Sequence, residues 1–542
     1  MSDYKGFQSV KLTRPTKSTF DLSHDKRLTT RMGRLTPVLI QECVPSDYFH
    51  GNSEMLVRLA PLLAPIYDQI QVFVHFFFVP NRLIWEDWEE FITGGRLGVG
   101  VDPVTAPVPP YFDLGEQMGL GPYFNKSTLS DYLGCPIWPL AGESSSDYLG
   151  IKLDAMPHAV YWIVWNEYYR DRNFTADDAL FTFPLASGEV TGTTAANLLG
   201  LENRCYKHDY FTSALPFTQR GTEVLIPIAL GGTGSIYADP ISPPTTTALV
   251  GGTEDGTPVA WVVEPEANTD HPGGLYIKGS DFTGTTTTIN DFRSAYALQV
   301  WLERNAIGGS RYVESTQAHF GIRPQDSRLQ RPEYIGGGRI PVKISEVVST
   351  AYSSDGTDIV PLANMGGHGV TYGNTNNFKY FCPEHGFIIG IMSIMNPPSY
   401  HQGLPRMFRR RSFLDYPWPT FAKLGEQTVA KSELYADSVN LTEDADGQEP
   451  LFGYQSRYAD WKYVPNTNHG DFHDTLLFWT LTRDFTSSPE LGYDFTIYDG
   501  DTQDRIFVVN GDADNFWIYI HNKVTVKRPL PYFGTPNTLG FV

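Results

Sequence analysis

The 542-residue sequence predicts an antiparallel β-sandwich with helical insertions, and three observations carry that expectation. Near the start, Ile70, Val72, Val74, Phe76 and Phe78 alternate onto one face, the period-2 signature of a strand with a buried side. Near the end, Phe516, Ile518, Ile520, Val524 and Val526 repeat that pattern. Between them the chain holds 50 glycines and 39 prolines with 14% aromatic residues, a composition that favours many strands and many turns. Strands near both ends with long excursions between them suit a sandwich whose termini pair in the middle.

The first 34 residues lack periodicity. Eight lysines and arginines stand there against three aspartates, a net charge of +5. Lys11, Arg14, Lys17, Lys26 and Arg27 lie in this stretch, read as a basic arm touching phosphates. Residues 35–44 follow as the first strand, with Leu39 and Cys43 inward. Residues 55–66 hold Pro61 and Pro65 and suggest an irregular crossover.

The central strand has a second face, Gln71, Phe73, His75, Phe77 and Val79, which starts polar and turns apolar. It is expected to be covered on both sides for half its length. Pro80 ends the ladder and Asn81 can cap a helix. Leu83, Ile84, Trp88, Phe91 and Ile92 then recur at helical spacing until Gly94 and Gly95. Residues 101–157 read as a long ordered loop with short helices. Residues 159–171 read as a helix with Trp162, Trp165 and Tyr169 on one side, for core or a subunit contact.

Residues 231–290 change character, with 12 threonines and seven acidic residues against Lys278 alone. Trp261, Val262 and Val263 need burial, so the stretch reads as a small β-rich insertion. Its Gly-rich run at 231–235 is followed by no Lys-Ser/Thr, which excludes a phosphate loop. Residues 291–314 form the clearest helix, with Ala295, Leu298, Trp301 and Leu302 on one face and a break at Gly308–Gly309. Strands resume at 340–352 and at 386–400, the second nearly all apolar and so fully buried.

The last strand, residues 515–529, turns Trp517, Tyr519, His521, Lys523 and Lys527 away from its apolar face. Cations alternating with aromatic rings supply phosphate charge and stacking surface together, as single-strand binding needs. With Arg528 these form the main nucleic-acid candidate. A second basic cluster, Arg406, Arg409, Arg410 and Arg411, serves either DNA or a neighbouring subunit through carboxylate pairs. Trp138 and Trp418 join the expected subunit contacts with Trp162 and Trp165. The whole chain carries a formal charge of -20, so only a local basic face can meet nucleic acid, without reading base sequence.

Other chemistry finds little footing. Cys43, Cys135, Cys205 and Cys382 stand far apart, with no paired C-x-x-C. Cys382 and His385 lack a second pair for zinc. Asp499, Asp501, Asp504, Asp512 and Asp514 fail the EF-hand pattern but leave room for a structural divalent cation; no other cofactor is expected. His469, Asp471 and His473 read as a polar turn before a metal or acid–base cluster. With 61 carboxylates and 11 tryptophans, a polysaccharide-active enzyme or lectin is the alternative reading, yet no motif selects a catalytic pair. No apolar run approaches the ~20 residues of a membrane helix, and no secretory signal opens the chain.

Four segments resemble one family. They are FDLSHD (20–25), PNRLIWEDWEEFITGG (80–95), HFGIRPQDSRLQRPEYIGG (319–337) and RRRSFLDYPWP (409–419). Long, rich in Trp, Pro and Arg, and in family order, they resemble the major capsid proteins of the Microviridae, nearest the gokushovirus branch. That resemblance implies an eight-stranded viral jelly roll with long loops and a non-enzymatic, structural role. It implies a T=1 icosahedral virion shell around circular single-stranded DNA, assembled in the bacterial cytoplasm with a small basic internal protein. The expected organisation is an arm (1–34), a first part of the jelly roll (35–185), a surface insertion (186–290) and the remainder (291–542). The insertion would protrude at threefold axes and meet a host receptor.

Overall fold

The computed structural model describes residues 16–93, 107–175, 183–222, 224, 289–309, 311–350, 363–444, 447, 449–509 and 513–533. It also describes the backbone of short strands between 230 and 284 and between 353 and 360. By internal contacts the chain divides into Met1–Thr218 with Ile322–Val542, and Gln219–Gly321.

The first unit is built on strands β1 (Ser18–Asp21), β2 (His24–Thr30), β3 (Thr36–Cys43), β4 (Tyr48–Leu59), β5 (Gln71–Pro80), β6 (Glu333–Pro341), β7 (Ile344–Val348), β8 (Met365–Asn374), β9 (Phe378–Phe381), β10 (Gly386–Met395) and β11 (Phe516–Arg528). A seven-stranded sheet runs β1-β11-β4-β8-β7, with β2 also on β11 and β9 also on β4. A four-stranded sheet runs β6-β5-β10-β3. Every pairing in both is antiparallel. The chain passes repeatedly from one sheet to the other, and its first two strands both pair with its last, β1 from Ser18 opposite Arg528 to Asp21 opposite Thr525 and β2 from His24 opposite Asn522 to Thr30 opposite Phe516. This is the winding of a viral jelly roll. Two lanes are each broken into a pair of strands, β1 with β2 and β8 with β9, and β7 adds an outer edge.

The period-2 face of β5 fills the space between the sheets. Val72, Val74, Phe76 and Phe78 meet Phe49, Met55 and Val57 of β4, Ile388 and Met392 of β10, and Ile518 and Ile520 of β11. The other face of β5 becomes buried from Phe77 onward, where Phe77 and Val79 pack with Ile389 and Ile391 under the helix Met156–Val164. The smaller sheet is thus covered on both faces in this region, which is why β10 is wholly apolar or small and wholly buried. Leu39 and Cys43 point into the core as expected. Gly33, φ +83°, turns the chain from β2 to β3 where a Cβ would lie 2.6 Å from Tyr498.

Several expectations are corrected. The basic segment is not an arm throughout, since residues 18–30 form β1 and β2. Alternating charges hid the short inward set that ends in Leu28 and Thr30. Residues 55–59 belong to β4, and the crossover begins only after Leu59. The helix expected after Pro80 is two pieces, Asn81–Ile84 and Trp88–Thr93, parted where Trp85 turns extended and bridges Leu185. Asn81 provides no side-chain cap. Gly94 and Gly95 lie outside the described residues. The aromatic helix ends at Val164 and continues as a π-turn over Trp165–Tyr169.

In the second unit, helix Ile289–Gly308 is followed by helix Tyr312–Phe320, and the Trp301 ring stacks on His319 at 5.8 Å. The apolar face expected there is only partly covered, for Leu298 and Trp301 are half-exposed. The strand Thr257–Pro265 pairs antiparallel with Ala248–Glu254 and parallel with Ile236–Ala238.

Candidate nucleic-acid interface

Strand β11 alternates as its sequence requires. Phe516, Ile518, Ile520, Val524 and Val526 are buried, whereas Trp517, Tyr519, His521, Lys523 and Lys527 lie on the opposite face. Strand pairing decides which side chains join them. Arg58 of β4 is opposite Trp517, Glu54 is opposite His521, and Tyr48 is opposite Lys527. From β2, Arg27 is opposite Tyr519 and Asp25 is opposite His521.

Two cations and two rings therefore meet on the outer face of the larger sheet. Arg27, Arg58, Trp517 and Tyr519 line an open cleft of about 550 Å³. The Arg27 guanidinium lies 5.6 Å from the Tyr519 ring centre, within cation–π range. Arg27 and Arg58 are exposed, and neither forms an ion pair among the described residues. Such a cleft offers π-faces for bases and guanidinium donors for phosphates.

Other predicted cations are committed to the fold. Arg528 donates from Nε and Nη2 to Oδ2 of the buried Asp47, at 2.9 and 2.8 Å, and from Nη2 to the Glu42 carbonyl. The Lys26 ammonium turns inward to the carbonyls of Pro37 and Tyr132, and burial pulls it down to about 8. Lys17 donates to the Ser46 carbonyl at 2.6 Å and sits over Phe381. Lys523 pairs with Glu54, which also accepts from the Tyr372 hydroxyl; these bonds hold the Glu54 carboxyl below its usual range. His521 Nδ1 lies 2.6 Å from Asp25, whose carboxyl is lowered chiefly by that bond. Lys527 is exposed and makes no ion pair among the described residues. For Arg528 and Lys26 the expected phosphate role is corrected: one answers a buried carboxylate, the other buried carbonyls. Lys11 and Arg14 lie outside the described residues.

The second basic cluster is also internally neutralised. Arg409 reaches Glu449 at 2.5 Å, Arg410 reaches Asp460 at 2.5 Å, and Arg411 reaches Glu443 at 3.3 Å. Arg406 lies 3.5 Å from the buried Glu433. The carboxylates expected from a neighbouring subunit are thus supplied by the chain itself. Trp162 and Trp165 are corrected as subunit contacts too. They are 1% and 3% exposed, and Trp162 donates from Nε1 to the Leu198 carbonyl. Trp418, by contrast, is 48% exposed.

No group of three or more His, Cys, Asp or Glu gathers for a metal among the described residues. Asp501 and Asp504 face Arg31, and Asp514 accepts from Arg34 and Thr29. Asp512 is outside the described residues. The Cys43 thiol is pushed far up by burial, as an inert core thiol would be. No helix among the described residues is long and apolar enough to cross a membrane.

Arg58 was not among the residues singled out from sequence. The signal was present: residues 48–59 alternate with Phe49, Met55, Val57 and Leu59 inward, which turns Arg58 outward. Pro61 and Pro65 masked it by suggesting that strand character had already ended.

Comparison with known proteins agrees with this architecture. The family model described as capsid protein (F protein) matches residues 7–538. The chain is 33% identical to capsid protein VP1 of Chlamydia phage 1, over 98% of this chain and 97% of that one. It is 30% identical to capsid protein VP1 of Bdellovibrio phage phiMH2K, over 98% of each. Its identity to capsid protein VP1 of Spiroplasma virus 4 is 26%, over 96% of this chain and 95% of that one. A match this complete carries a structural rather than an enzymatic role, and the chain belongs to the capsid protein (F protein) family of the Microviridae.

Proposed function

We propose that this capsid protein assembles into a T=1 icosahedral shell around circular single-stranded DNA and turns the outer face of its larger sheet toward the genome. The observation that carries the genome contact is the cleft of Arg27, Arg58, Trp517 and Tyr519, with Lys527 further along β11. Cations and rings on a rigid sheet fit a flexible single strand, whose bases are free to stack. Side chains that contact mainly phosphate and ring faces would bind without base specificity. Assembly in the host cytoplasm, a small basic internal protein that neutralises further phosphate, and a host receptor met through the acidic 231–290 stretch of the insertion complete the reading. The insertion's excess of carboxylates, which DNA would repel, supports an outward role.

The test is charge reversal at Arg27, Arg58 and Lys527 together. Their side chains are exposed, so the subunit should still fold and shells should still form, with markedly less packaged DNA. Particles with a full genome complement would refute the genome assignment.

A further inference from the structure

The excursion between β10 and β11, together with Tyr210 and Phe211 from the connection between β5 and β6, lines a second cavity, of about 610 Å³. Its floor is aromatic and buried, made by Tyr210, Phe211 and Tyr400. Its rim is the reverse: Met407, Phe408, Tyr463 and Val464 line the opening, and Val464 is 88% exposed. The apolar surface does not stop there. Arg410 lies over the Trp461 ring at 4.2 Å and 5.7 Å from the Tyr416 ring, and both rings are half-exposed. At roughly 100 Å² of exposed side chain each, half of what a large aromatic buries, these six residues present on the order of 600 Å². That is at the upper end of what a monomer leaves in one patch. It is near one partner's share, about 800 Å², of a standard interface.

Charge decides what kind of partner fits. Arg406 and Arg410 border the cavity, but Glu433 and Asp460 border it with them and pair with them. A phosphate chain would find no uncompensated arginine here, in contrast to the cleft of Arg27 and Arg58. An apolar protein surface would bury the rim without stranding a charge.

We propose that this rimmed cavity is a subunit contact that receives apolar side chains from a second copy of this chain. The proposal rests on the self-assembly reading given above. The site is concave, so two copies of it facing each other would leave both cavities empty. The contact is therefore heterologous, a different surface of the neighbour filling the cavity, and such contacts close into rings where the rotation between neighbours closes, as it must in a closed shell.

Two exposed rim positions test it in the full chain. Val464→Asp and Phe408→Asp should each leave the folded subunit and its thermal midpoint unchanged and lower shell yield at least tenfold, whereas Val464→Ile should assemble like the parent chain. In assembled particles, a photo-crosslinking side chain at position 464 should couple to a second copy of the chain. Parent-like shell yield from both aspartate variants, or crosslinks confined to DNA or to the internal protein, would overturn the proposal. A parent chain that forms no shells would overturn the assembly reading, and the inference with it. Shells that form normally while position 464 stays uncoupled would overturn the inference alone.

Discussion

Arg528, near the end of the last sandwich strand, grips Asp47 with two nitrogens at 2.9 and 2.8 Å, and the Asp47 side chain is wholly buried. The pair ties β11 to the turn between β3 and β4, next to the buried Cys382, whose N–H donates to the Asp47 carbonyl. A residue that looked like a phosphate contact is a structural clamp.

Removing the guanidinium leaves a buried carboxylate without its counter-charge, the Val44 N–H still donating to it. Arg528→Ala should destabilise the subunit by about 3–5 kcal/mol. Urea unfolding of the isolated subunit measures this. The single-strand affinity of the folded fraction should stay close to the parent value.

Arg27 and Arg58 should behave in the opposite way. Arg58→Ala should change stability by less than about 1 kcal/mol, since the side chain is exposed and makes no ion pair among the described residues. It should lower the log–log salt slope of single-strand binding by roughly 0.7, one phosphate contact. Trp517→Ala should cost about 1–3 kcal/mol of binding through lost stacking. Titrations of labelled oligonucleotides at several salt concentrations separate the two effects.

Two shielded histidines give the subunit an acid limit. His75 bonds to the Tyr169 hydroxyl, and burial, with Arg204 nearby, lowers it to about 4. His158, bonded to Ser130, is lowered to about 4 by burial alone. Between about 4 and the unfolded value near 6.5 the unfolded chain binds more protons at both sites. Stability from these groups is therefore complete above about 6.5 and is lost as pH falls toward 4. The folded subunit should weaken steadily over that window, and His158→Gln should flatten the slope. Thermal midpoints at half-unit pH steps check it.

The tryptophans divide by burial. Trp162→Ala should cost about 3–5 kcal/mol and reduce soluble yield, as core truncation does. Trp418→Ala should leave subunit stability within about 1 kcal/mol of the parent, because its ring is half-exposed.

Much of this was legible in residue order. The period-2 runs in β5 and β11 and the continuous apolar run in β10 located the sandwich core, because a sandwich strand must alternate or, when covered on both faces, be apolar throughout. Four motif segments carried the family. The site was harder to read. A strand shows which of its residues face outward, but only pairing shows what stands beside them. Register brings Arg27 and Arg58 to Tyr519 and Trp517 from chain positions hundreds of residues away. Pairing also removed candidates: Lys26, Arg528 and Arg409–Arg411 looked free as letters, yet each has a carbonyl or carboxylate partner distant in sequence, for Lys26 the Tyr132 carbonyl. A sequence lists charges, but not which of them are already satisfied.

The genome-facing assignment of the larger sheet is tested most directly by a cryo-electron microscopy reconstruction of DNA-filled particles. Trp517, Tyr519, Arg27 and Arg58 should lie on the inner wall of the shell, with nucleic-acid density against the cleft. Finding that face on the outer surface of the particle, or buried between subunits with no nucleic acid near it, would contradict the account.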